Sequence, residues 1–566
     1  MSIYSTVESG TSAHRSRFSK SLSKRMLYDC RFHELIPVLK RFVLPGDVWR
    51  IGGDALVRFQ PMLSPTLTPN NFRVRYFFVP LRLIEENAEL ILTGSKNGKL
   101  FQQTEENPLP EFNDFIASAS GATKKVVSKY GFWDYMNVQC GDYSVFTDKE
   151  FFPAEYWYKG YLRIKFDFYR DENYDSEDDF DTWWNTKKTE AAAAPLEFSK
   201  LSKDYFVSAL PWQLKGVAPV LEVTGDASIT GWNFGTIEDH ANILTTAVTS
   251  GTANLFTDNQ PDKPPFKLIN STQSTADTYA QRFGDNLAAA LASGASDITI
   301  NGLGFNADEE RTMMAMTRIF ERLARCGSRY VEYLRSNFGT APADGTLQRA
   351  QYLGGWKIPI VTSEVLQTAE DSHTSGGQTV KTPVGTMRGH GISRGGNQIQ
   401  TFFAKEFGLL FGLAEVRPNI LYTTGINRQL TYKRRFDFFN PSFQHLSEQE
   451  VRNGELFVNF TADADGHYDN DDTLGFQAYA NELRSYQDEA VADMRDTLSY
   501  WNQALEFATR PNVSGLMTAE NHLTSFNKPF AVQGESARPI IVDFYNILDV
   551  YRPMVRYATP GLVDHL

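Results

Sequence analysis

Gly391-Ile392-Ser393-Arg394-Gly395 matches the Gly-x-Ser-x-Gly pattern of a hydrolase nucleophile. That chemistry needs a strand before the serine and a helix after it, so that the hydroxyl is lifted over a sheet. Here Thr382-Pro383-Val384-Gly385 precedes the motif and Gly396-Asn397 follows it. The stretch from Thr374 to Asn397 therefore reads as a glycine-rich flexible loop, and no nucleophile is expected. Gly389-x-Gly391 lacks the third glycine of a dinucleotide loop because position 394 is Arg, and no Walker A pattern occurs. Asp463-x-Asp465-Gly466-x-x-Asp469-x-Asp471-Asp472 has the look of a calcium loop, but its glycine is at the fourth position rather than the sixth and no Glu closes it. Asp171, Glu172, Asp175, Glu177, Asp178, Asp179 and Asp181 form an acidic run. Acid/base catalysis would require environments that separate two of their pKa values, so a hydrated surface is the reading. The histidines show no HExxH spacing, and Cys30, Cys140 and Cys326 are too far apart for a zinc pair. No catalytic group, metal site or cofactor is expected.

The other candidate chemistry is electrostatic. Residues 1–41 carry Arg15, Arg17, Lys20, Lys24, Arg25, Arg31, Lys40 and Arg41 against Glu8, Asp29 and Glu34, a charge of +5 in a chain of net charge −12. Such a cluster neutralises phosphates and releases counterions, giving salt-sensitive binding without sequence preference. Phe18 and Tyr28 could stack on unpaired bases. The first 25 residues are Ser-rich with few large apolar groups, so a mobile, interior-facing arm is expected. Lys433-Arg434-Arg435 is a second basic cluster, read as a strand edge.

The elements that must position these groups look mainly β. Ala55–Gln60, Phe72–Pro80, Tyr161–Tyr169, Lys433–Phe439 and Pro539–Tyr545 alternate or are rich in β-branched and aromatic residues. Strands at both ends of the chain suggest an antiparallel sandwich whose first and last strands meet. One helix is expected over 306–338, with Met313, Met316, Ile319, Phe320 and Leu323 against the core, and Leu498, Trp501 and Leu505 hint at a second. Between these elements, 40 of the 76 residues from Gly225 to Ile300 are Gly, Ser, Thr, Ala or Asn. That composition cannot build its own core, so a projecting insertion is expected.

Length and composition bound the class. With 566 residues, 13 % aromatics and 22 % charged residues, the chain can bury a large core and is not disordered as a whole. Its net charge of −12 argues against a uniformly basic nucleic-acid binder. Three separated cysteines fit a reducing compartment, and the Ser-rich, basic first 25 residues contain no apolar signal core, so a soluble, unexported chain is expected.

Several strings resemble one family in collinear order. They are Leu44-Pro45-Gly46-Asp47, the run Tyr76–Leu83, the run Asp167–Asn173, Asp204-Tyr205-Phe206 followed by Leu210–Gly216, and Ala324–Tyr330. Leu347-Gln348-Arg349 with Tyr352–Gly355, Arg434–Phe438 and Ser447–Val451 complete the set. The chain is similar to the major capsid protein of the Microviridae, single-stranded DNA bacteriophages, in the gokushovirus-like branch. Cys326 and Ser447 stand where that family usually has Gly, and the C-terminal 80 residues match loosely.

The resemblance implies a mainly β fold, an eight-stranded antiparallel jelly roll (viral β-sandwich) with long, partly helical insertions, spanning 42–566 behind the basic arm of 1–41. It implies a non-enzymatic virion protein that self-assembles into a T=1 icosahedral shell enclosing a circular single-stranded DNA genome. A threefold protrusion for host attachment follows the Leu-Pro-Trp string in the family; here the segment 225–300 follows it. The implied partners are further copies of the chain, packaged DNA, a small basic DNA-packaging protein, an internal scaffolding protein, a DNA pilot protein and a host cell-surface receptor, with assembly in the bacterial cytoplasm. A jelly-roll carbohydrate-binding protein or glycosidase is the alternative on fold alone.

Overall fold

The computed structural model describes residues 18–554, except 94–111, 113–125, 144–151, 176–178, 191–193, 217–306, 326–334, 337–342, 367–370 and shorter breaks of one or two residues. Arg15, Arg17 and the 225–300 insertion lie outside the described residues. The chain divides into two units, residues 1–215 with 321–566, and residues 216–320.

The first unit is built on one curled antiparallel sheet of ten strands: β1 (Phe18–Ser21), β2 (Lys24–Cys30), β3 (Ile36–Val43), β4 (Val48–Phe59), β5 (Asn70–Pro80), β6 (Gln351–Leu366), β7 (Met387–Gly396), β8 (Gln400–Phe403), β9 (Gly408–Pro418) and β10 (Ile540–Arg552). Their order is β1-β10-β4-β7-β6-β5-β9-β3, with β2 also on β10 and β8 also on β4. This is the expected mainly β sandwich, with the ends of the chain paired: β10 runs against β4 from Ile540–Phe59 to Tyr551–Val48. Alternation sets the register. In β10, Ile540, Val542, Phe544, Leu548 and Val550 are buried while Ile541, Tyr545 and Tyr551 face out. Phe72 lies 5.8 Å from Trp356 on the adjacent strand, and both reach Phe544 of β10, Phe72 at 6.3 Å between ring centres and Trp356 stacked on it.

Tyr161–Tyr169 is not a strand but the end of helix α1 (Tyr156–Phe168). Leu162, Ile164, Phe166 and Phe168 do alternate, yet Tyr158, Tyr161 and Leu162 recur at helical spacing, and Arg163 pairs with Asp167 one turn on at 3.0 Å. Gly160 lets this helix lie directly on β9, where a Cβ would come within 2.9 Å of Leu409. Lys433–Phe439 is an exposed turn, because Asp437 accepts the backbone N–H groups of Lys433 and Arg434 at 2.8 and 2.6 Å and removes them from any ladder. Leu498–Leu505 holds only a short 3₁₀ turn, Ser499–Trp501.

The Thr374–Asn397 stretch is strand rather than flexible loop. It contains a hairpin, Asp371–Ser375 with Gln378–Thr382, and then β7. Its glycines serve close approach: a Cβ at Gly391 would collide with the Phe59 ring. Ser393 sits within β7, not at a strand-to-helix turn, and donates to the Pro359 carbonyl at 2.6 Å. Helix α2 (Ala307–Arg325) covers the first part of the expected 306–338 span, most of the remainder lying outside the described residues, and Met316 and Ile319, expected to be buried, are exposed.

Candidate nucleic-acid interface

Half of the basic arm is part of the sheet. β1 pairs with β10 from Phe18–Arg552 to Ser21–Asp549, and β2 pairs with β10 from Cys30–Ile540 to Lys24–Asn546. Backbone bonds to a strand more than five hundred residues away order a segment whose side chains could not. From Phe18 onward the arm is therefore structured. Tyr28 is buried edge-on against Tyr135 and is unavailable for base stacking, contrary to expectation.

The chain then turns through Phe32–Leu35 into β3, which places Lys24 and Arg25 on β2 opposite Lys40 and Arg41 on β3. Together with Lys129 they line a groove of about 470 Å³ between the β2/β10 pair and β3, against two carboxylates, Asp29 and Asp134. Asn546 from β10 closes its floor, its amide donating to the Val38 carbonyl at 2.9 Å. Lys40 donates its ammonium hydrogen to the Tyr135 carbonyl. Burial, reinforced by Lys24 and Arg41, pushes the Lys40 amine down to about 7.

Lys129 and Tyr130 were not legible as site residues. Their segment is distant in sequence and carries only turn signals. Tyr130 adopts φ 67° and its N–H donates to Asp134 at 2.9 Å, which presents the ring, 40 % exposed, at the groove. The Lys129 ammonium is 4.6 Å and the Arg538 guanidinium 4.2 Å from its ring centre.

Of the remaining expected contacts, Lys20 is exposed on β1. Arg31 is committed to the fold, paired with the fully buried Glu34 at 3.1 Å and stacked 4.7 Å over Phe198. The acidic run is partly structural: Asp171 pairs with Lys203 at 3.0 Å and Asp175 with Lys200 at 2.9 Å. Among the described residues no cluster of His, Cys, Asp and Glu could hold a metal ion, and no helix is long and apolar enough to cross a membrane.

Comparison with known proteins identifies the family. The model of the capsid protein (F protein) family matches residues 5–562. Capsid protein VP1 of Chlamydia phage 1 is 26 % identical, the match covering 97 % of this chain and 96 % of that one. Capsid protein VP1 of Bdellovibrio phage phiMH2K is 26 % identical over 97 % of this chain and 95 % of its own. That of Spiroplasma virus 4 is 25 % identical over 94 % and 92 %. The carbohydrate alternative finds no support among these matches. The chain belongs to the capsid protein (F protein) family and is a structural component of a phage virion, not an enzyme.

Proposed function

We propose that copies of this chain close into a T=1 icosahedral shell around a circular single-stranded DNA genome, with the basic groove turned toward the packaged DNA. Membership of a coat-protein family supports the shell. The DNA contact rests on one observation: Lys24, Arg25, Lys40, Arg41 and Lys129 converge on a single groove in a chain of net charge −12. Such cations bind phosphates by counterion release, and the partly exposed Tyr130 ring, with Lys129 and Arg538 over it, adds an aromatic edge beside them. Lys20 adds to this charge and Arg15 and Arg17 are proposed as further contacts, whereas Arg31 is paired with the buried Glu34. A handful of cations offsets few phosphates, so a small basic packaging protein of the same phage supplies the remainder. Internal scaffolding and DNA pilot proteins join during assembly in the bacterial cytoplasm.

Neutralising the groove with Lys24→Gln, Arg25→Gln and Arg41→Gln together is the test. Packaged DNA per purified particle, measured by quantitative PCR, should fall. Binding of the unassembled subunit to oligo(dT) should lose about 0.7 from its log-log salt slope per contact removed. Unchanged packaging and an unchanged slope would refute the DNA-facing groove.

The 225–300 insertion is proposed as the threefold protrusion that meets the host cell-surface receptor. Its polar, core-poor composition and its place after Leu210-Pro211-Trp212 support this. Deleting it should leave particles that sediment normally but no longer adsorb to host cells. Normal adsorption would sink the idea, and loss of assembly would assign the segment to shell contacts instead.

A further inference from the structure

The segment from Asn427 to Phe439 carries large apolar side chains in the open. Leu430 is 78 % and Phe436 70 % exposed, with Phe438 and Phe439 beside them. It is not a slack loop. Asn427 caps the turn Arg428–Thr431 by accepting from the Gln429 N–H at 3.0 Å, Asp437 holds two backbone N–H groups, and the Tyr432 hydroxyl donates to the buried Glu482 carboxylate at 2.7 Å. A fixed loop that presents aromatics to water is the signature of a contact surface. Around them Lys433, Arg434 and Arg435 are exposed against one carboxylate, Asp437.

The neighbouring segment, Leu483 to Tyr500, is its counterpart. Tyr486 is 80 % exposed, and Leu483 and Val491 are exposed as well. Asp488, Glu489, Asp493 and Asp496 are exposed there against Arg484 and Arg495, leaving an excess of two negative charges beside the loop's excess of two positive ones. The loop packs against residues 479–482, from which the acidic segment runs on. Phe439 lies 6.2 Å from Tyr479 between ring centres, the Gln429 amide donates to the Glu482 carbonyl at 2.7 Å, and a depression of about 590 Å³ is lined by Lys433, Arg434, Phe436 and Glu482.

We propose that this surface docks a second copy of the chain across a twofold axis, with the basic aromatic loop 427–439 of each copy against the acidic segment 483–500 of the other. A patch with a basic half beside an acidic half complements itself under twofold rotation, because each half then meets its opposite. Matching charge sets register and discourages wrong partners, while the buried aromatics supply most of the affinity. The inference rests on the shell-forming reading and adds to it the residues of one lateral contact.

Charge reversal tests it in the full chain expressed with the other virion proteins, with closed particles counted by sedimentation. The loop variant is Lys433→Glu, Arg434→Glu and Arg435→Glu; the segment variant is Asp488→Lys, Glu489→Lys and Asp493→Lys. Each alone should lower particle yield about tenfold or more, and both sets in one chain should restore most of it. Full yield from either set alone, or no recovery in the combined chain, would overturn the contact. The unassembled variants should keep the thermal midpoint of the unsubstituted subunit, since every altered side chain is exposed. Should a variant fail to fold, a photoreactive benzoylphenylalanine in place of Phe436 decides the matter. Adducts mapping to 483–500 of a second copy uphold the docking, and adducts elsewhere or none reject it. Absence of closed particles from the unsubstituted chain would instead count against the shell reading itself.

Discussion

Arg538→Met is expected to destabilise the subunit by about 3–5 kcal/mol, the scale for leaving a buried charge without its partner. The charge is that of Glu34, fully buried at the turn between β2 and β3. Arg538 Nη2 reaches Glu34 Oε1 at 2.8 Å and Nη1 reaches Oε2 at 2.9 Å, a two-point bond, and Nη1 also donates to the Tyr135 hydroxyl at 2.6 Å. Arg31 adds its guanidinium at 3.1 Å and its backbone N–H at 3.0 Å. The cluster thus fastens the entry to the basic groove onto the residues just before β10. Without Arg538, Glu34 keeps only Arg31, and Tyr130 keeps only Lys129 of the two cations over its ring. Urea unfolding of the unassembled subunit, followed by tryptophan fluorescence, should show a midpoint shift of that size. Adding Glu34→Gln to Arg538→Met should recover part of the loss, because the uncompensated charge is then gone. A cost under about 1 kcal/mol for the single variant would put Glu34 in the class of exposed pairs, against its burial.

What could be read from the sequence depended on whether the governing partner was local. Phe72–Pro80 reads as a strand from its β-branched and aromatic run, and both it and Pro539–Tyr545 are interior strands of the sheet. Tyr161–Tyr169 alternates more cleanly than either, but its aromatics also satisfy a helical period, and packing on Leu409 and Phe411 selects the helix. Lys433–Phe439 alternates too; the short-range Asp437 turn overrides it. The arm looked too poor in apolar residues to be ordered, and by burial alone that was sound. Its order comes from ladder bonds to β10, which composition does not report. Lys24, Arg25, Lys40 and Arg41 were visible as cations, but a groove requires the β2–β3 turn to bring them face to face, and Lys129 and Tyr130 arrive through tertiary structure alone.

Lys40 ties the stability of the fold to pH. Its amine, largely buried and beside Lys24 and Arg41, is pushed down to about 7, whereas an unfolded lysine stays charged to about 10.4. Between those values the unfolded chain holds a proton the folded chain has released, so folding stability should rise as pH climbs from about 7 toward 10. Below about 7 the fold carries the full penalty of a crowded, desolvated cation. Lys40→Met should therefore raise the unfolding midpoint most at pH 6, less at pH 8 and scarcely at pH 10, offset in part by the Tyr135 carbonyl that loses its donor. An anion in the groove opposes the same penalty. Oligo(dT) binding at pH 8 should accordingly draw a proton onto Lys40, seen in calorimetry as a binding enthalpy that varies with the ionisation enthalpy of the buffer. In Lys40→Met that dependence should vanish and affinity should fall, so that the stabler protein is the poorer binder. A stabilising substitution that left oligonucleotide affinity and proton uptake unchanged would show that Lys40 is strained for reasons unconnected with DNA.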